Sequence, residues 1–78
     1  MSKTKNPSMS KEIAITVNGD ERNVPNGLSV EGLLEHLGLV GGKVAVERNK
    51  EIAPRSQFSQ TIIEQGDAIE IVRFVGGG

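Results

Sequence analysis

Apolar and polar residues alternate from residue 12 onward: Ile13, Ile15 and Val17 fall on one side, Ala14 and Thr16 on the other. That period of two predicts a strand with one face on a core. Asn18-Gly19-Asp20 follows as a turn in which Gly19 takes a positive φ without steric cost, and residues 21–24 return as a second short strand closed by Pro25-Asn26-Gly27. The period then changes. Val30, Leu33, Leu34 and Leu37 stand at i, i+3, i+4 and i+7, the stripe of an amphipathic helix, with Ser29 placed to cap it. Glu31 in the first turn and His36 in the last suit the helix dipole. Gly38 occupies the left-handed position past the end, from which Leu39 can fold back on Leu34 in a Schellman motif. Gly32 breaks the pattern: it costs roughly 1 kcal/mol against alanine, lies off the apolar stripe, and stands where a capping box would place Glu or Gln.

Beyond Gly41-Gly42, residues 44–48 read as a strand, and Asn49-Lys50 as a tight connection to a short strand over 51–53 that Pro54 stops. Residues 55–60 form a loop or a single helical turn with Phe58 tucked inward. After Thr61-Ile62-Ile63, the Glu64-Gln65-Gly66-Asp67 turn leads into a last strand over 68–75. Ile69, Ile71, Val72 and Phe74 make that strand apolar on both faces, which places it centrally in its sheet. Two strands, a crossover helix and further strands ending in a central one predict a mixed sheet with one helix on one face, an α+β roll. Residues 1–11 are polar, with Pro7 and no periodicity, and read as a disordered leader in which Met9 is an alternative start; the domain then spans 12–75 and a flexible glycine tail 76–78.

Composition narrows the chemistry. The 78 residues make one small domain, near the lower limit for a single unstapled core. There is no cysteine, which excludes disulfides, thiolate metal sites and thiol nucleophiles together. Nine basic residues against ten acidic ones leave a formal net charge of -1 with both signs scattered, so neither nucleic acid nor a membrane surface is an expected partner. Phe58 and Phe74 alone cannot build a stacking platform for single strands. Apolar runs are too short to span a bilayer and the start lacks a signal-peptide core, so a cytoplasmic location is expected.

Within the fold no catalytic apparatus stands out. His36, the single histidine, has no triad or metal partner at meaningful spacing and reads as a solvated helix residue. Glu31 and Glu35 share an exposed helix face, which does not raise a carboxyl pKa as acid catalysis needs. Asn18-Gly19 and Gly41-Gly42 are not followed by lysine at phosphate-loop spacing. What remains is the run Phe74-Val75-Gly76-Gly77-Gly78. Glycines that pack nothing cannot serve stability; an inert frayed end is the plain reading. Their direct delivery by a central strand favours a functional one, in which the Gly78 carboxylate reacts. Gly76 and Gly77 would give a thin tail, the three glycines reaching at most about 11 Å, able to thread a narrow slot in a partner.

The ordered set Val17-Asn18-Gly19, Val24-Pro25-Asn26-Gly27-Leu28-Ser29-Val30, Leu33-Leu34 with Leu37, Val44-Ala45-Val46-Glu47-Arg48-Asn49, Ile52 with Pro54-Arg55, Gly66-Asp67, Ile69-Glu70-Ile71-Val72 and the terminal Phe74 to Gly78 resembles the ThiS sulfur carrier family of thiamine biosynthesis. The resemblance covers residues 12–78. It implies a ubiquitin-like β-grasp fold, a mixed sheet of about five strands with one main helix, and a carrier rather than an enzyme. It further implies that an E1-like enzyme adenylates Gly78 with ATP, that sulfur drawn from cysteine through a desulfurase gives a C-terminal thiocarboxylate, and that thiazole synthase accepts the sulfur. No cofactor would be bound; ATP and the sulfur donor belong to the partners. Phe74 and Val75 would dock the base of the tail in an apolar groove, with Arg73 and Glu70, and less centrally Arg48 and Arg55, as a charged rim. Two alternatives stay open: a carrier of the kind found as the small subunit of molybdopterin synthase, and a ubiquitin-like interaction or conjugation module.

Overall fold

A computed structural model describes residues 11–39 and 43–74. The expected leader up to residue 10, the Gly41-Gly42 connection and residues 75–78 of the tail lie outside the described residues.

Strands β1 (Glu12–Val17) and β2 (Asp20–Pro25) pair antiparallel, from Glu12 opposite Pro25 to Val17 opposite Asp20, which leaves two residues for the turn. Asn18 at φ 52° and Gly19 at φ 87° supply the two left-handed conformations of a type I′ turn, whose twist matches that of the strands. Asn49 (φ 54°) and Lys50 (φ 70°) repeat the device between β3 (Val44–Arg48) and β4 (Glu51–Ile52). β4 is one residue shorter than its apolar pattern predicts, although the Ala53 N–H still donates to the Val46 carbonyl at 2.8 Å.

Helix α1 (Val30–His36) begins at Ser29, whose Oγ accepts the Gly32 N–H at 3.0 Å. Its other leading donors find partners outside the helix. The Val30 N–H donates to the Thr61 carbonyl at 2.8 Å and the Glu31 N–H to that of Phe58 at 3.0 Å. The loop that carries Phe58 inward therefore satisfies groups that would otherwise be orphaned at a helix start. At the other end the Leu39 N–H reaches the Leu34 carbonyl (2.8 Å) and the Gly38 N–H that of Glu35 (3.0 Å), with Gly38 at φ 78°. These are the two bonds of the expected Schellman motif. Gly32 now has an explanation: a β-carbon there would stand 3.1 Å from Cδ2 of Leu28, so its absence lets Leu28 fold over the first turn.

The strands form one mixed sheet in the order β2-β1-β5-β3-β4, with β5 (Ala68–Arg73) parallel to β1 and antiparallel to β3. The helix covers one face, and between them lies a core that includes Ile13, Ile15, Val24, Leu33, Val46 and Ile69. This is the α+β arrangement expected, and the last strand is central, as its apolar character predicted. One inference behind that placement needs correction. Apolar residues on both faces imply cover on both, yet only Ile69 and Ile71 are buried, while Val72 and Phe74 are 56% and 58% exposed. The reason is the number of layers: α1 is the single α-helix among the described residues and lies on one side. β5 ends at Arg73, and Phe74 adds one bond by donating its N–H to the Lys43 carbonyl at 2.9 Å. No helix among the described residues is long and apolar enough to cross a membrane.

Candidate functional site

The strand that leads toward the glycines is held by two polar clips. The Asn18 side chain lies alongside β5, its Oδ1 accepting the Ile71 N–H at 2.8 Å and its Nδ2 donating to the Ile71 carbonyl at 3.2 Å. A side-chain amide thus continues the β1 ladder beyond the turn. At the other end of β5, Asp67 is buried and accepts three hydrogen bonds, from Arg48 Nε (2.7 Å), Asn49 Nδ2 (3.1 Å) and the Glu64 N–H (2.8 Å). Asn49 also accepts the Ala68 N–H through its side chain at 2.9 Å. Burial is the largest influence on the Asp67 carboxyl and disfavours its charge. The bonds from Arg48, Glu64 and Asn49, with the Arg48 charge, together outweigh it and hold the carboxyl below its ordinary range.

These clips fix which side chains of β5 face outward. Register places Ala45 opposite Val72, and Glu47 opposite both Glu70 and Ile52. Side chains directly opposite share a face, so Ile52, Ala45, Glu47, Glu70 and Val72 stand together on the uncovered side of the sheet. Phe74 continues that row by alternation. Ile52, Val72 and Phe74 are 67%, 56% and 58% exposed. An apolar patch of this kind, flanked by carboxylates at the end of the strand that feeds the tail, is suited to docking a macromolecule.

The predicted docking residues do not form one patch. Phe74 and Glu70 lie on the outer face. Arg73 stands opposite the buried Val44 and so projects to the helix side, where it lines a cleft with Arg22 and His36. Val75, Gly76, Gly77 and Gly78 fall outside the described residues. Arg48 donates through Nε to Asp67 and so has a structural bond within the fold. Arg55 sits exposed in the 3-10 turn Arg55–Gln57. Val72, Ala45 and Ile52 share the outer face with Phe74 and Glu70 and were not among the expected docking residues. For Val72 the signal was present in the even positions of the last strand but was read as burial; Ala45 and Ile52, on β3 and β4, join that face only through register. Among the described residues no cluster of three or more His, Cys, Asp or Glu could hold a metal.

Comparison with known proteins covers the same stretch. The model of the ThiS family matches residues 10–78. The crystal structure of the thiamine biosynthesis protein ThiS from Geobacter metallireducens superposes with a TM-score of 0.73 at 38% identity, covering 85% of this chain and 100% of that one. The sulfur carrier protein ThiS of Bacillus subtilis is 42% identical over 50 residues, 64% of this chain and 76% of its own length. A thiazole synthase from Paramagnetospirillum magneticum is 50% identical over 64 residues, which are 82% of this chain and 20% of that protein. The chain therefore spans about a fifth of that larger relative.

Proposed function

The chain belongs to the ThiS family, and from that membership we propose that it is a sulfur carrier of thiamine biosynthesis whose reactive group is the α-carboxylate of Gly78. The observation that carries the reading is a family match running through the glycine tail to residue 78, on a β-grasp sheet whose exposed apolar face ends at Phe74.

In this proposal the Gly78 carboxylate attacks the α-phosphorus of ATP in an E1-like enzyme, pyrophosphate leaves, and an acyl adenylate forms. A persulfide that a desulfurase forms from cysteine attacks the carbonyl carbon and displaces AMP. A thiol of a partner enzyme then cleaves the S–S bond of the resulting acyl disulfide, leaving the thiocarboxylate on Gly78 and a disulfide on the partner side. Thiazole synthase then takes the sulfur. The chain supplies no catalyst for these steps. Gly76 and Gly77 supply a thin, extended approach, while Val72, Phe74 and Ile52 supply a rigid apolar surface that excludes water when a partner closes on it. Thiazole synthase as acceptor is supported by the larger relative, in which a similar stretch belongs to the same polypeptide as the synthase. Tethering of that kind raises the effective concentration of donor at acceptor without any new contact.

Intact mass spectrometry of the chain, produced together with the adenylating enzyme and a cysteine desulfurase, tests the proposal. A fraction carrying sulfur in place of one Gly78 oxygen is expected, and an exclusively unmodified chain under those conditions overturns it. Gly77→Val should abolish adenylation, read as pyrophosphate release, with the melting midpoint unchanged; activation at the wild-type rate would refute the narrow-slot role of the tail.

A further inference from the structure

A cleft of about 400 Å³ opens on the helix side of the sheet, between the last turn of α1 and strands β1, β2 and β5. Its size lies within the range of small-molecule sites. Val17, Leu37 and Ile71 give it an apolar floor, and Arg22, His36 and Arg73 line it as well. These three side chains come from three elements, β2, α1 and β5, while Asn18, which also lines the cleft, has its amide bonded to Ile71. Register accounts for two of them. Arg22 lies opposite Ile15 and Arg73 opposite Val44, both buried, so both guanidiniums stand on the side where the core is. Neither arginine nor His36 makes an ion pair or side-chain hydrogen bond with another described residue, in contrast to Arg48 and its carboxylate. Among the described residues the cleft lining contains no Asp or Glu.

The nearby helix C-terminus would ordinarily repel an anion. Here the Leu37, Gly38 and Leu39 N–H groups already occupy the carbonyls of Leu33, Glu35 and Leu34, which mutes that end of the dipole. Two guanidiniums that pair with no other described residue line one cleft with an imidazole, and each planar guanidinium fork can take two oxygens of a tetrahedral phosphoryl group while offsetting its charge.

We propose that this cleft binds a small organic phosphate, its phosphoryl group held by Arg22, Arg73 and His36 and its apolar body resting on Val17, Leu37 and Ile71. A protein carboxylate is the weaker fit, because the site is concave with an apolar floor, whereas the surface shaped for a macromolecule is the opposite face of the sheet. The proposal does not depend on the sulfur-carrier reading.

Titration of the isotope-labelled full chain with phenyl phosphate, followed in amide correlation spectra, tests it. Saturable shifts at Arg22, His36, Leu37, Ile71 and Arg73 are expected, with a dissociation constant at or below about 1 mM. Inorganic phosphate, lacking the apolar body, should bind at least about tenfold more weakly. Arg22→Gln and Arg73→Gln should each weaken phenyl phosphate by about tenfold or more, and the double variant should lose it, with otherwise unchanged spectra reporting an intact fold. Absence of saturable shifts at about 10 mM ligand, equal affinity for inorganic phosphate, or undiminished binding by the double variant overturns the proposal. So does the finding that the double variant weakens only a protein partner, which would make the cleft a protein contact.

Discussion

Asp67 shows what a single residue contributes when its surroundings are complete. It is the one buried charged residue among those described, and Arg48, Asn49 and the Glu64 N–H all donate to it. Asp67→Asn replaces an acceptor with a donor and leaves Arg48 without a counter-ion, so it should cost about 2–3 kcal/mol at neutral pH. Because the folded carboxyl is held below its unfolded value, its contribution is present above the unfolded pKa of about 3.9 and is lost as pH falls through the folded one. Urea unfolding of both proteins should therefore show a gap at neutral pH that closes in the acid range; a gap constant with pH would contradict the linkage. Asn18 teaches a different lesson. Its turn role is visible in the Asn-Gly pair, but its bonds to Ile71 join residues 53 apart in sequence, and no local pattern announces them.

Among the elements, α1 was the most legible, since its stripe, cap and Schellman end all rest on neighbours within one or two turns. The glycines at its two ends serve different purposes in the structure. Gly38 has φ 78°, so Gly38→Ala should destabilise by about 1 kcal/mol, lowering the melting midpoint by roughly 4–8 °C in a domain of this size. Gly32→Ala gains up to about 1 kcal/mol of helix propensity but pushes a β-carbon to 3.1 Å from Leu28, so its melting midpoint should rise by less than propensity alone predicts. A full propensity gain would show that Leu28 yields freely. The start of the same helix was less legible, because the donors of Val30 and Glu31 are satisfied by the Phe58 to Thr61 loop, which is distant in sequence.

Across the described residues as a whole, one helix on a five-stranded sheet leaves the other face of that sheet uncovered by them. Covering one face closes the core; the other presents Ile52, Val72 and Phe74. Val72→Asp should therefore weaken binding to the adenylating enzyme by about tenfold or more, measured by calorimetry. Its melting midpoint should stay near that of the parent chain, since the side chain is 56% exposed. Unchanged affinity would remove the outer face from the docking surface. Glu47 and Glu70, directly opposite on that face, repel one another in the free chain.

The amino-acid sequence by itself determined the order and type of the elements, the hairpin turns and the helix ends. All of these depend on periodicity and turn chemistry that act over a few residues. It also singled out the glycine tail, because nothing else in the composition offered a reactive group. Only the tertiary structure decided which face each residue occupies and which face the helix covers. Apolar residues on two sides of β5 look the same in sequence whether they are buried or bare, and the difference lies in how many layers the chain can build. Register likewise sent Arg73 to the helix side and Glu70 to the outer one, and long-range pairing turned Arg48 from a surface charge into the partner of Asp67. Those outcomes depend on contacts between residues far apart in the chain, which alternation and spacing do not encode.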